Sequence, residues 1–174
     1  MRHRTLTLAA AVSAALLCSA ACSGSGTPSS STTADSASAS APGSPAAGSL
    51  TAAQVVDEFK TAGLPIGTVT VYTAADDPNH LLGTPNGYLS KAAFVDKQIL
   101  PAQAAGQGVV GAGGEVEVYA TGAEATARKQ SIVTAENSGQ LLGTEYDVVD
   151  GTVLLRLSED LTGAQVNAFS KALG

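Results

Sequence analysis

The chain has 174 residues, a formal charge of −6, 4% aromatic residues and no tryptophan, which suits one ordinary domain with appendages. An excess of acids argues against nucleic acid, whose binding needs Lys and Arg to neutralise phosphates, and against a basic patch on anionic lipid. Its two cysteines, Cys18 and Cys22, both lie near the N-terminus, so no disulfide framework, thiol nucleophile or Cys-ligated zinc site is available further along.

Arg2, His3 and Arg4 open the chain with positive charge, and residues 6–17 follow as an uncharged apolar stretch. About a dozen such residues match a signal-peptide core and fall short of the roughly 20 that a spanning helix needs. Ser19-Ala20-Ala21-Cys22 reads as a lipobox. The Cys22 thiol would be acylated, and residues 1–21 would be removed. Signal peptidase I cutting after Ala21, with simple secretion, is the alternative, because Ser19 stands where leucine is usual. Cleavage removes Arg2 and Arg4 and no acid, which takes the charge from −6 to −8.

Residues 22–49 form the second segment, a lipidated cysteine and its linker. From Ser23 to Ser49 the chain is almost entirely Ser, Thr, Ala, Gly and Pro, with Asp35 its single charge. Such a composition buries too little apolar area to offset the entropy of ordering. A flexible coil of that length spans about 30 Å root-mean-square, a suitable tether.

Residues 50–174 carry the periodicity of a folded domain. Thr51 caps a predicted helix over 52–62, with Val55, Val56, Phe59 and Ala62 on one face; Gly63 and Pro65 end it. Residues 68–73 (TVTVYT) alternate as a half-buried strand does, and a second strand is expected over 89–96. The Gly-rich stretch 98–114 reads as a long connection, and 115–120 (EVEVYA) as the next strand. A helix over 123–137 follows, with Arg128 and Lys129 on its outer side and Gly139 as its stop. Residues 146–149 and 152–157 flank Asp150-Gly151 as a hairpin, and Thr162 caps a last helix to 173 with Val166, Phe169 and Leu173 inward. The order α-β-β-β-α-β-β-α predicts an α+β domain, an antiparallel sheet of about five strands with helices on one face. A short echo, Leu-Leu-Gly-Thr at 81–84 and again at 141–144 after similar strands, reads as coincidence or convergence on turn chemistry, with an ancient duplication as the alternative.

The pattern Asp77-Pro78-Asn79, Leu81-Leu82-Gly83, Pro85 and Tyr88, then Phe94-Val95-Asp96, Gly113-Gly114 with Val116-Glu117-Val118-Tyr119, and Val153-Leu154-Leu155-Arg156-Leu157 resembles a family of uncharacterised actinobacterial cell-envelope lipoproteins. The resemblance covers most of the folded region and the lipobox. It implies a location outside the membrane and a small α+β fold, and it carries no activity, ligand or catalytic residue.

Few residues offer chemistry. Asp76-Asp77-Pro78-Asn79-His80 is the densest polar cluster; it would serve a base or a calcium ion, but Asp77 capping a single helical turn, with Pro78 at its first position and Gly83 at its end, explains it better. His80 is the one histidine left after processing, and no G-x-S-x-G elbow presents a nucleophile to it. The glycines of 106–114 precede a strand and lack a following Gly-Lys-Ser/Thr, so they do not form a phosphate loop. Glu115 and Glu117 share one strand face, and Arg156 points opposite to Leu155 and Leu157, onto a sheet face left open by the helices.

That open face, with Arg156, Glu115, Glu117 and tyrosine residues, is the expected partner-binding surface, and Asp76, Asp77 and His80 are further candidates for contact with a partner. No catalytic residue, metal site or cofactor is assigned. The expected role is a non-catalytic binding module held at the membrane through its lipid, meeting an envelope protein or wall polymer. A hydrolase using His80 and a small-ligand carrier with an apolar pocket under 98–114 are the alternatives.

Overall fold

The computed structural model describes residues 50–104, 108–139 and 144–174. The leader, Cys22, the linker and Leu141-Leu142-Gly143 of the second echo lie outside the described residues. Ten elements follow in order: α1 (Ala52–Thr61), β1 (Ile66–Val71), β2 (Ser90–Asp96), α2 (Pro101–Ala104), α3 (Gly108–Gly111), β3 (Gly113–Val118), α4 (Gly122–Asn137), β4 (Glu145–Asp150), β5 (Val153–Ser158) and α5 (Gly163–Leu173). The domain is α+β, built on one five-stranded antiparallel sheet in the order β1-β2-β3-β5-β4.

Local chemistry sets the element ends. Thr51, Thr121 and Thr162 each accept from the amide three residues on, and the side chains of Gln54, Glu124 and Gln165 return the bond to the cap amide. These three capping boxes satisfy amides that a helix start leaves orphaned. At Gly151 the φ of +51° completes the two-residue turn between β4 and β5 that Asp150-Gly151 predicts.

Alternation then divides the sheet. Phe94, Val116, Val118, Leu155 and Leu157 point to one face, where Val55, Val56 and Phe59 of α1 and Phe169 of α5 cover them. Phe59, Phe94 and Phe169 pack ring against ring at 5.4–6.1 Å between centroids. Leu154 points the other way, into a smaller cluster with Tyr88, Tyr119 and the α4 residues Ala125 and Ile132.

Four expectations need correction. Helices do not lie on one face alone: α1 and α5 cover one, and α4 packs on the other, because Ala125 and Ile132 meet Leu154 and not its neighbour Leu155. Arg128 and Lys129 are consequently turned toward the sheet: Arg128 Nε lies 3.4 Å from Glu117, and Lys129 Nζ donates to the Asp147 carbonyl at 2.7 Å. The stretch 98–114 is not plain connection; it contains α2 and α3, and Gly113-Gly114 begin β3. A Cβ on Gly114 would come within 2.6 Å of the Arg156 carbonyl and 2.7 Å of the Phe94 ring, so the glycine marks close packing. Finally, Ala62 is the exposed C-cap of α1, and Ala52 takes its place in the core.

Candidate functional site

The face beneath α4 collects charge. β3 turns Glu115 and Glu117 toward it, β5 turns Arg156, and β2 turns Lys91, while register sets Lys91 beside Glu117 and Arg156 between Glu115 and Asp147. Arg156 grips Glu145 with two bonds, Nε to Oε1 at 2.7 Å and Nη2 to Oε2 at 2.9 Å. Its Nη1 reaches Glu115 at 3.0 Å and Glu117 at 3.4 Å. Lys91, fully buried, places Nζ 3.1 Å from Glu115 and 3.4 Å from Asp77, with the Tyr72 ring 4.9 Å from the ammonium. Tyr119 donates to Glu117 at 2.6 Å.

Asp77 gathers the loop that closes one end of this face. Its carboxylate accepts from the Tyr88 hydroxyl at 2.6 Å and from the amides of Asn79, Leu81 and Leu82. Burial pushes the carboxyl up, but those donors outweigh it and bring it down to about 2. It acts as a cap, as expected, although residues 74–89 form a series of turns and not a helical turn. Gly83, at φ +75°, stands at the reversal.

For Glu115, Asp147 and Arg156 burial is the largest influence. Desolvation raises Glu115, offset in part by Arg156 and Lys91. Asp147 is pushed up to about 7, by burial and then by the neighbouring Glu145 charge, against the pull of Arg156. Burial works against the Arg156 charge, yet its bonds to Glu145 hold the guanidinium protonated.

Of the residues expected to form a binding surface, Arg156, Glu115, Glu117 and Asp77 do come together, but not on an open face. Arg156 is 8% exposed and Glu117 0%, because α4 and the loop 72–89 cover them. Asp76 stands outside the network, exposed, with its carboxylate on the Thr73 amide and hydroxyl. His80 is exposed, in a left-handed conformation (φ 54°), and its ring has no partner among the described residues. Lys91, Glu145 and Asp147 were not expected there; the shared alternation of Lys91, Glu115, Glu117 and Arg156 was the signal available.

The accessible concavities lie elsewhere. A recess of about 140 Å³ is lined by Thr68, Thr70, Ala93, Phe94, Val95, Val109 and Ala112. It adjoins one of about 300 Å³ lined by Val95, Ile99, Pro101, Ala104 and Ala112. Leu100, Val109 and Val95 stand exposed nearby. Among the described residues no group of three His, Cys, Asp or Glu side chains is placed to hold a metal, and no helix is long and apolar enough to cross a membrane.

Comparison with protein families, with characterised proteins and with solved structures finds no match.

Proposed function

We propose that this chain is an exported lipoprotein, anchored through Cys22 and belonging with the envelope lipoproteins it resembles, whose domain is a non-catalytic binding module. One observation carries the choice of binding over catalysis. The clustered acids and bases beneath α4 are buried and committed to each other, while the two joined recesses are mainly apolar and a third, of about 670 Å³, is lined by Thr126, Lys129, Gln130, Val133, Thr134 and Val149 with no carboxylate, histidine or cysteine. An enzyme needs a base or nucleophile that meets its substrate. His80 is accessible, but among the described residues no nucleophile or orienting carboxylate is bonded to its ring, which disfavours the hydrolase reading.

A second reading, a carrier of a small apolar ligand, gains from the two joined recesses, which lie where a pocket under 98–114 would be. At about 300 Å³ the larger is at the lower limit of ordinary ligand sites. Replacing Val95 by Asp would put a charge in both recesses; a carrier would lose its co-purifying ligand by native mass spectrometry, and a module that binds elsewhere would keep its partners in a pull-down.

Anchoring is tested by Cys22→Ser. We expect the variant in the culture medium and the parent in the membrane fraction, with acyl mass on Cys22 in the intact protein. A mature N-terminus that bears no fatty acid overturns the proposal.

A further inference from the structure

The sheet has two edges, and they are treated differently. Along β4 the outward amide of Glu145 donates to the Glu136 carboxylate at 2.9 Å, and the outward carbonyl of Asp147 accepts from Lys129. Helix α4 thus occupies that edge, which also carries Glu145, Asp147 and Asp150 and would repel a second copy.

The β1 edge has no such cover among the described residues. Ile66–Val71 holds no charged residue and no proline, and Thr68 to Val71 are all β-branched. The Tyr72 amide donates inward to the Lys91 carbonyl, so the antiparallel ladder turns the amides and carbonyls of Val69 and Val71 outward. Val71 is 56% exposed, the most exposed large apolar side chain of any strand described.

Charge at the two ends of this strand says what fits it. Lys97 flanks the start, its side chain against Gly67; it is exposed and has no ion pair among the described residues. Asp76 flanks the far end, bonded to Thr73. Antiparallel pairing of two copies about Thr70 sets Val69 opposite Val71 of the copy, which joins the outward backbone groups. It also brings the Lys97 end of each strand to the Asp76 end of the other. The edge is complementary to itself, charge included, in a molecule that is otherwise acidic.

We infer that β1 is a self-association edge, through which two copies of this chain pair antiparallel into one continuous sheet. An interface this small lies below about 1,200 Å², so the dimer is weak and concentration-dependent.

The test uses the full chain with Cys18 and Cys22 replaced by serine, so that neither acyl groups nor native thiols intervene. Sedimentation equilibrium from about 1 μM to about 1 mM should follow a monomer–dimer curve, with association weakened at least ~10-fold by Val71→Lys and less by Lys97→Glu. Thr70→Cys in the same background faces its own copy in a non-hydrogen-bonded pair, about 4.5 Å between α-carbons. That spacing admits a disulfide. Mild oxidation should link this variant and leave Val133→Cys, likewise at an exposed position but on α4, monomeric. A chain that stays monomeric throughout the range, a dimer indifferent to Val71→Lys, or linking no faster at residue 70 than at 133 overturns the inference. Monomer together with capture of a foreign extended segment would assign the edge to another partner and overturn self-pairing equally.

Discussion

Lys91 carries a charge into the interior. Its ammonium is fully buried and is stabilised only because Asp77, Glu115 and the Tyr72 and Tyr88 rings surround it. Truncating one partner of such a set leaves the others as uncompensated buried charges, which costs far more than the pair contributes in net stability. Lys91→Met should therefore destabilise the domain by about 3–5 kcal/mol in urea titration, although it keeps the apolar stem. A loss under about 1 kcal/mol would mean that water reaches the site and that the network is a surface feature. In the sequence Ser90-Lys91-Ala92-Ala93-Phe94, a lone lysine in a strand reads as solvent-facing. Only the loop that returns over it, tied down by Asp77 and Tyr88, makes it buried, and pairing across 14 residues has no local signature.

Element by element, the domain was legible where one period and one cap governed a segment. Phe59 and Phe169 sit at helical spacing in capped helices, and the Asp150-Gly151 turn fixes the β4–β5 register. Helix α4 was legible in extent but not in orientation. Only Ala125 and Ile132 are buried along its 16 residues, so its apolar stripe is too thin to say which face it covers. Polar contacts position it instead: Arg128 on Glu117, Lys129 on the Asp147 carbonyl, and Glu136 on the Glu145 amide. Residues 98–114 failed for a related reason. Glycine signals a turn and a close approach alike, and Gly114 serves the second purpose between Phe94 and Arg156. Gly114→Ala should accordingly lower stability by about 1–3 kcal/mol, because a methyl group there meets backbone and ring that a packed sheet cannot move aside. Gly63→Ala, in open space but at φ +80°, tests strain alone. It should cost about 1–2 kcal/mol, and urea melts of the two variants separate crowding from conformation.

At the scale of the whole molecule the buried acids set how stability depends on pH. Asp147 titrates near 7 in the folded domain and near 3.8 when exposed. Around it stand Glu145 and Arg156 from the strands and Glu136 from α4. Between those two values the folded state holds a proton that the unfolded state has released, so stability falls as pH rises from about 4 to about 7. Glu115 and Asp96, both raised by burial, act in the same direction. Asp77 has the opposite sign: lowered to about 2, it contributes stability above about 4 that is lost as pH falls toward 2. Together these place maximum stability near pH 4–5, below neutrality, with a decline on both sides. Urea titrations at half-unit steps from pH 3 to 8 should trace that curve. Asp147→Asn cannot ionise; it should match the parent near pH 4, exceed it at pH 7.5, and flatten the slope between. A parent domain that gains stability from pH 4 to 7 would mean that Asp147 is ionised and well paired in solution.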